Sequence, residues 1–270
     1  MRVAIQGELG SFHHMAAVDW YGPDIEIVAC ETFKAVFETV KNKQAETAIV
    51  AIENSLFGSI NEVYDLLLAY KIPITGEVPL RVEQCLIGNA HTSLRTITHV
   101  HSHPVALAQC SDFLDDSLPH AERIENHDTA SSVALVMASE DNSLAAIASP
   151  LAAGLHDATI IKKNIENHDA NYTRFLVLDP KAQSLKKPTK ASLVIQTNHK
   201  AGSLYGALGV FAEAGINLTK LQSRPIVGRI WKYMFYVDIE LENQDVQQTL
   251  DTLNALGCTV TLLGLYQRAN

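Results

Sequence analysis

Cysteine is scarce in this chain: there are 4 in 270 residues, and Cys30, Cys85, Cys110 and Cys258 include no Cys-x-x-Cys pair. Neither a zinc ribbon nor a disulfide framework is indicated, so reduced and mostly buried thiols are expected, with no metal site. Long apolar runs are missing as well, since none approaches the roughly 18 to 20 residues that span a bilayer. Met1-Arg2 leads straight into Val3-Ala4-Ile5, a strand-like run broken early by a glycine-containing loop. That is too short for a secretory leader, and a cytoplasmic protein is the expectation. Positive charge is the third shortage. Lys and Arg total 21 against 30 Asp and Glu, a formal net charge of −9, which argues against nucleic acid or an anionic membrane as partner. An anionic ligand would have to be held locally, by helix N-termini, hydrogen-bond donors or single cations, against that field.

Apolar residues are plentiful at 47%, enough to bury substantial cores, and the length suggests about two domains. The boundary is expected at residues 181–190, where Lys-Ala-Gln-Ser-Leu-Lys-Lys-Pro-Thr-Lys joins charge and a proline without apolar periodicity. Beyond it the pattern reads strand (Ser192 to Thr197), helix (Ser203 to Ala214), strand (Asn217 to Gln222), strand (Tyr233 to Glu240), helix (Asp245 to Leu256) and strand (Thr259 to Tyr266). That βαββαβ order, over 191–270, is ferredoxin-like. The first 180 residues alternate short apolar runs with helical periodicity, which favours α/β layers with mainly parallel sheets. Two lobes with a cleft are expected, one from about 1–80 with 161–180 and the other from about 81–160. Thr32 precedes Phe33, Val36, Phe37 and Val40 at helical spacing, and Thr47 to Ile52 reads as a buried strand. Glu53 and Asn54 then fall past a strand's carboxyl end, the edge where open α/β sheets bind ligands. Ile-Glu-Asn occurs at Ile52, Ile124 and Ile165 with no common period, as chance allows.

Each polar cluster has a structural and a functional reading. Glu53-Asn54-Ser55 suits a turn and helix cap as well as a ligand site. Ser102, read as an N-cap before Pro104, would share one helix face with Gln109 seven residues on, the two standing roughly 10 Å apart at ~1.5 Å rise per residue. His101 and His103 form an H-x-H, but Pro104 stops the strand that would point them the same way. Gly7, Gly10 and Ser11 make a loop before a helix, a shape that offers backbone N–H groups to an anion. At Asn171-Tyr172-Thr173-Arg174-Phe175, strand alternation places Thr173 and Arg174 on opposite faces, so Arg174 meets either a carboxylate or a lobe interface.

The ordered set Gln6-Gly7-Glu8-Leu9-Gly10-Ser11-Phe12, Ile52-Glu53-Asn54-Ser55, Ser102-His103-Pro104 with Gln109, Asp128-Thr129-Ala130 and Thr173-Arg174-Phe175 resembles the prephenate dehydratases over essentially the whole chain. The resemblance implies a two-lobed α/β catalytic domain with a periplasmic-binding-protein-like cleft. It also implies loss of CO2 and water from prephenate to give phenylpyruvate, without cofactor or metal. Thr173, Glu53, Asn54, Ser102, His103 and Gln109 are the implied catalytic residues, with Ser11, Ser55, Thr129, Arg174 and Phe175 as substrate-binding ones. A threonine hydroxyl is a poor acid, so Thr173 would hydrogen-bond the leaving oxygen or relay a proton from His103 or Glu53. His13 stands where the family carries a small hydroxyl residue. The C-terminal unit resembles an ACT regulatory domain, with Gly206, Ala207 and Leu208, Asn217 and Leu218, and Gln222, Ser223, Arg224 and Pro225 implied to bind phenylalanine. Gln222 replaces the family's glutamate. Pairing of such domains implies a homodimer or homotetramer, and no segment resembles a chorismate mutase, so a monofunctional chain is expected. Arogenate dehydratase, or a non-enzymatic amino-acid sensor or solute-binding protein, are the competing readings.

Overall fold

In the computed structural model, which describes every residue except Gln183, Ser184, Lys186, Val227, Asn243 and Asn270, Thr32 caps its helix as the spacing predicts. Its hydroxyl accepts from the Ala35 N–H at 3.1 Å, and Val36, Phe37 and Val40 are buried. Three of the undescribed residues fall within the expected linker at 181–190, and that part of the expectation lies outside the described residues.

The elements begin β1 (Arg2–Gln6), α1 (Phe12–Tyr21), β2 (Glu26–Cys30), α2 (Phe33–Lys41), β3 (Thr47–Asn54), β4 (Gly58–Ser59), α3 (Asn61–Tyr70), β5 (Ile74–Arg81), β6 (Cys85–Gly88), β7 (His99–Ser102), α4 (Pro104–Gln109) and α5 (Ser111–Ser117). They continue β8 (Glu122–Glu125), α6 (Thr129–Ser139), β9 (Leu144–Ala148), α7 (Pro150–Leu155), β10 (Thr159–Lys162), β11 (Tyr172–Leu178), β12 (Lys190–Gln196), α8 (Ser203–Glu213), β13 (Leu218–Pro225), β14 (Tyr233–Glu240), α9 (Val246–Ala255) and β15 (Thr259–Tyr266). Two compact units result, Met1–Val63 with Val78–Leu176, and Tyr64–Glu77 with Val177–Asn270. Among the described residues no helix is long and apolar enough to cross a membrane.

The first unit holds two sheets. One runs β11-β3-β1-β2, with β1 parallel to both β2 and β3. Val3, Ala4, Ile5, Ile49 and Val50 are fully buried in it, as expected for strands covered on both faces. The other runs β10-β6-β9-β7-β8 and is mixed, which corrects the expectation of mainly parallel sheets. Its strands β7, β8 and β9 are parallel, but β6 is antiparallel to β9 and to β10. The chain enters this sheet through β6 and leaves it through the adjacent, antiparallel β10.

In the second unit β12, α8, β13, β14, α9 and β15 follow the βαββαβ order, with the antiparallel sheet β13-β14-β12-β15. Ala207, Val210, Phe211 and Leu253 of the two helices bury against Leu193, Ile195, Val237 and Ile239. Residues from α3 and β5 complete this unit. Tyr236 donates its hydroxyl to the Tyr64 carbonyl at 2.7 Å, and Arg224 pairs with Asp65 at 2.5 Å. Lys190 pairs with both oxygens of Glu77, at 3.0 and 2.7 Å. Lys190 therefore opens β12 as a buried strand residue and does not belong to a linker. At Gly264 a Cβ would come within 2.2 Å of the Ile74 carbonyl oxygen, so only glycine admits this pairing of β15 with β5.

Candidate active site

β3 ends at Asn54, and the chain turns back there into β4 because the Asn54 side chain holds the turn: its Oδ1 accepts from the N–H groups of Leu56 at 2.9 Å and Phe57 at 3.0 Å. Its Nδ2 donates to Asn171 Oδ1 at 2.7 Å and to Thr173 Oγ1 at 3.0 Å. These four bonds fix the Asn54 amide, and the last of them orients Thr173. Since Thr173 Oγ1 receives a bond from Asn54, its own proton is left to donate elsewhere.

Elsewhere means a cavity of about 310 Å³ within the first unit, lined by Asn54, Gln84, His103, Gln109, Thr129 and Thr173 among others. Phe12, Phe57, Ile60, Val82, Val105 and Ala106 supply apolar walls. No lysine, arginine, aspartate or glutamate lines it among the described residues. An anion would therefore be met by neutral donors. Thr129 opens α6 behind its cap Asp128, which brings a helix N-terminus to the rim.

His103, not Ser102, caps α4: its Nδ1 accepts from the Val105 N–H at 3.2 Å, with φ −63 and ψ 142 at the cap. This corrects the cap assignment. Ser102 is the last residue of β7, wholly buried, and its hydroxyl donates to the Ile147 carbonyl at 2.6 Å. It does not line the cavity. Strand alternation explains the exchange, because Ser102 points into the sheet's packing and the next side chain points out. Burial lowers the His103 pKa from its ordinary value, and Nδ1 accepts a bond, so the neutral ring carries its proton on Nε2. His101 lies near the Asn126 amide at 3.4 Å and does not line the cavity.

Gln109, at the end of α4, does line the cavity, and its Oε1 accepts from Gln84 Nε2 at 3.1 Å. The other expected site residues do not reach it. Glu53 pairs with Arg174 Nε at 2.6 Å, the carboxylate reading of Arg174. Ser55 fastens the turn to the start of β11, donating to the Ala170 carbonyl at 2.7 Å and accepting from the Tyr172 N–H at 2.9 Å. Phe175 is 1% exposed and meets the His13 ring edge-on, with centroids 5.0 Å apart. Ser11 is the buried cap of α1 and accepts from the His14 N–H at 3.3 Å. His13, also buried, accepts the Ala51 N–H on Nε2 at 3.1 Å, and burial holds its pKa at about 3. Gln84 was missed by sequence reasoning, and Asn171 was named only as the first residue of the run to Phe175, without a role. Gln84 stands directly before the wholly buried strand Cys85–Gly88, but beside Glu83 it carries no signal of its own in the sequence.

In the second unit the implied effector residues diverge. Ala207 is buried in the core with Leu218 packed against it, and Asn217 donates to Glu240 Oε2 at 3.1 Å. Gln222 to Pro225 all lie in β13, which extends past the expected end at Gln222. Gln222 and Leu208 are half-buried, Ser223 and Pro225 are exposed, and Arg224 is held by Asp65.

An α/β unit whose two sheets close on an apolar, uncharged cavity defines a binding or catalytic protein for a small molecule. Comparison with known proteins narrows this. The family model for prephenate dehydratase matches residues 3–183. The bifunctional chorismate mutase/prephenate dehydratase of Enterobacter agglomerans is 34% identical over 276 residues, covering 100% of this chain and 71% of that one. Among solved structures, GqqA, described as a novel type of quorum quenching acylase, superposes with TM-score 0.90 and 30% identity, covering 100% of this chain and 98% of that one. Prephenate dehydratase from Arthrobacter aurescens in complex with L-Phe gives TM-score 0.89 and 25% identity, covering 100% and 90%. The chain belongs to the prephenate dehydratase family.

Proposed function

We propose that the cavity at Thr173 carries out the decarboxylating dehydration of prephenate to phenylpyruvate, which makes the chain a carbon–oxygen lyase acting in phenylalanine biosynthesis. The bond from the ring to its carboxylate breaks and releases CO2, the electron pair passes into the ring, and the ring C–O bond breaks as the oxygen takes a proton and leaves as water. Aromatisation drives the step. The observation that carries this reading is the Asn54 to Thr173 bond, in which the hydroxyl oxygen accepts and its proton is left for the departing oxygen. His103, with its proton on Nε2, also lines the cavity. We take His103 rather than Glu53 as the reservoir, since Glu53 pairs with Arg174 and is not among the cavity-lining residues. The apolar walls hold the ring, and orientation in the cavity contributes to the rate.

Feedback by phenylalanine through the C-terminal unit, read as an ACT domain over 191–270, belongs to the same proposal. So do a cytoplasmic location, a homodimer or homotetramer, and a catalytic domain of two lobes over 1–180. The βαββαβ order supports the domain reading, and the L-Phe complex of the Arthrobacter aurescens protein supports the effector. Arogenate differs from prephenate only in the side-chain amine, and no acidic residue lines the cavity to favour it among the described residues. Incubation of the purified protein with each substrate, following phenylpyruvate and phenylalanine, tests the assignment. Phenylalanine appearing from arogenate at the greater kcat/KM would overturn it.

A further inference from the structure

Gln84 is 2% exposed, and its polar contacts are few and definite. Its backbone N–H donates to Glu166 Oε2 at 3.0 Å, and Glu166 is in turn held by Arg81 at 2.9 Å, which anchors the residue. Its Nε2 donates to Gln109 Oε1 at 3.1 Å. Its own Oε1 is buried and accepts from no group among the described residues. Buried side-chain acceptors left unpaired are rare in native proteins. This one lies in a residue that lines the cavity.

Two amides joined by one hydrogen bond have two arrangements. With Gln84 donating, Gln109 Oε1 is occupied and Gln109 Nε2 remains to donate. With both amides reversed, Gln109 Nε2 is occupied and its Oε1 remains to accept. The first arrangement offers the cavity a donor, the second an acceptor. A cavity without a cation that binds an anion needs the first. In this arrangement Gln84 Oε1 is the atom left without a partner, as its Nε2 would be in the other.

We propose that Gln84 is a positioning residue that sets the polarity of Gln109, holding the Gln109 amide N–H toward an oxygen of a carboxylate-bearing substrate. The proposal rests on the reading of the cavity as the prephenate site. It makes Gln84 part of how the site recognises an anion with neutral groups alone.

The test is a double-mutant cycle of Gln84→Met and Gln109→Met, with Gln84→Glu as a third single variant, each followed by kcat, KM and melting temperature. Gln84→Met removes the donor at similar length, and a loss of roughly 10- to 100-fold in kcat/KM, mostly through KM, is expected. Because Gln84 acts through Gln109, adding Gln84→Met to Gln109→Met should cause little further loss. In Gln84→Glu the introduced carboxyl donates to Gln109 only when protonated, and burial raises its pKa. Its kcat/KM, taken as a ratio to wild type, should rise as pH falls. The ratio removes the pH dependence common to both proteins; the charged groups at Gln84 are Glu166, which accepts its backbone N–H, and Arg81, which holds Glu166. Unchanged kinetics in Gln84→Met, additive losses in the cycle, or a folded Gln84→Glu without the pH step would overturn the proposal. A loss explained by a fallen melting temperature, without coupling to Gln109, would do the same. A wild type inert toward prephenate fails differently, removing the reading of the site and this proposal with it.

Discussion

Asn54 and Thr173, 119 positions apart in the chain, are joined by a 3.0 Å hydrogen bond in which the asparagine amide donates and the threonine oxygen accepts. The direction matters, because it decides where the threonine proton goes. Thr173→Ala should lower kcat by at least ~10²-fold with a much smaller change in KM, since the hydroxyl acts on charge that develops at the leaving oxygen. Asn54→Asp should lower kcat as well, because an ionised carboxylate accepts the threonine proton and draws it from the cavity. Steady-state kinetics on prephenate decide this, and near-normal turnover in Thr173→Ala would leave the hydroxyl without a chemical role.

Glu53 and Arg174 form a 2.6 Å pair whose side chains are 29% and 14% exposed. Glu53→Gln keeps a hydrogen-bonding group for Arg174, so turnover should fall less than ~10-fold. Arg174→Met leaves a carboxylate without this partner in a partly buried place and should destabilise the fold by about 1 to 3 kcal/mol. Chemical denaturation measures the second effect. A kcat loss in Glu53→Gln as deep as that of Thr173→Ala would return Glu53 to the proton path.

Phenylalanine should inhibit the enzyme through the C-terminal unit, with an affinity difference of ~5- to 150-fold between states, the usual ~1 to 3 kcal/mol of coupling. Gly206 gives the means of separating effector binding from folding. A Cβ there meets nothing within 4 Å, so the position has room for a larger side chain. Gly206→Val should keep basal turnover and lose inhibition. Neither inhibition nor calorimetric binding in the wild type at millimolar phenylalanine would assign the unit to assembly or to another ligand.

His13 is buried and neutral, with burial depressing its pKa from 6.5 to about 3. The unfolded chain therefore binds a proton that the folded chain refuses between these values, and stability present above pH ~6.5 is lost as pH falls toward ~3, by at most ~1.4 kcal/mol per pH unit. His13→Gln keeps an acceptor for the Ala51 N–H and removes the titration. The slope of unfolding free energy against pH should flatten in that variant. An unchanged slope in acid denaturation would show that other groups carry the acid sensitivity.

Elements governed by local pattern are legible in the amino-acid sequence. The strands Tyr233–Glu240 and Thr259–Tyr266 have the bounds their side-chain alternation predicts, and Thr32 caps α2 where the helical spacing starts. Thr173, Asn54, His103, Gln109 and Thr129 each stand out by motif, and the cavity collects these five. Ser102 misleads because a serine before Pro104 fits a cap as well as a buried strand end does, and only the packing of β7 against β9 shows its hydroxyl bound to Ile147. Ser55 and Phe175 carry the family pattern yet serve the strand end and the core.

Periodicity, punctuation and motif order determined the element types, the βαββαβ tail and the residues worth testing, because these depend on neighbours a few positions away. Tertiary structure alone decided which residues meet. It joined Asn54 to Thr173 and Gln84 to Gln109, paired Glu53 with Arg174, and drew Tyr64–Glu77 into the second unit through Asp65, Glu77 and Ile74. The direction of a hydrogen bond between distant side chains is set by what else each atom already bonds, and no local pattern in the chain records that.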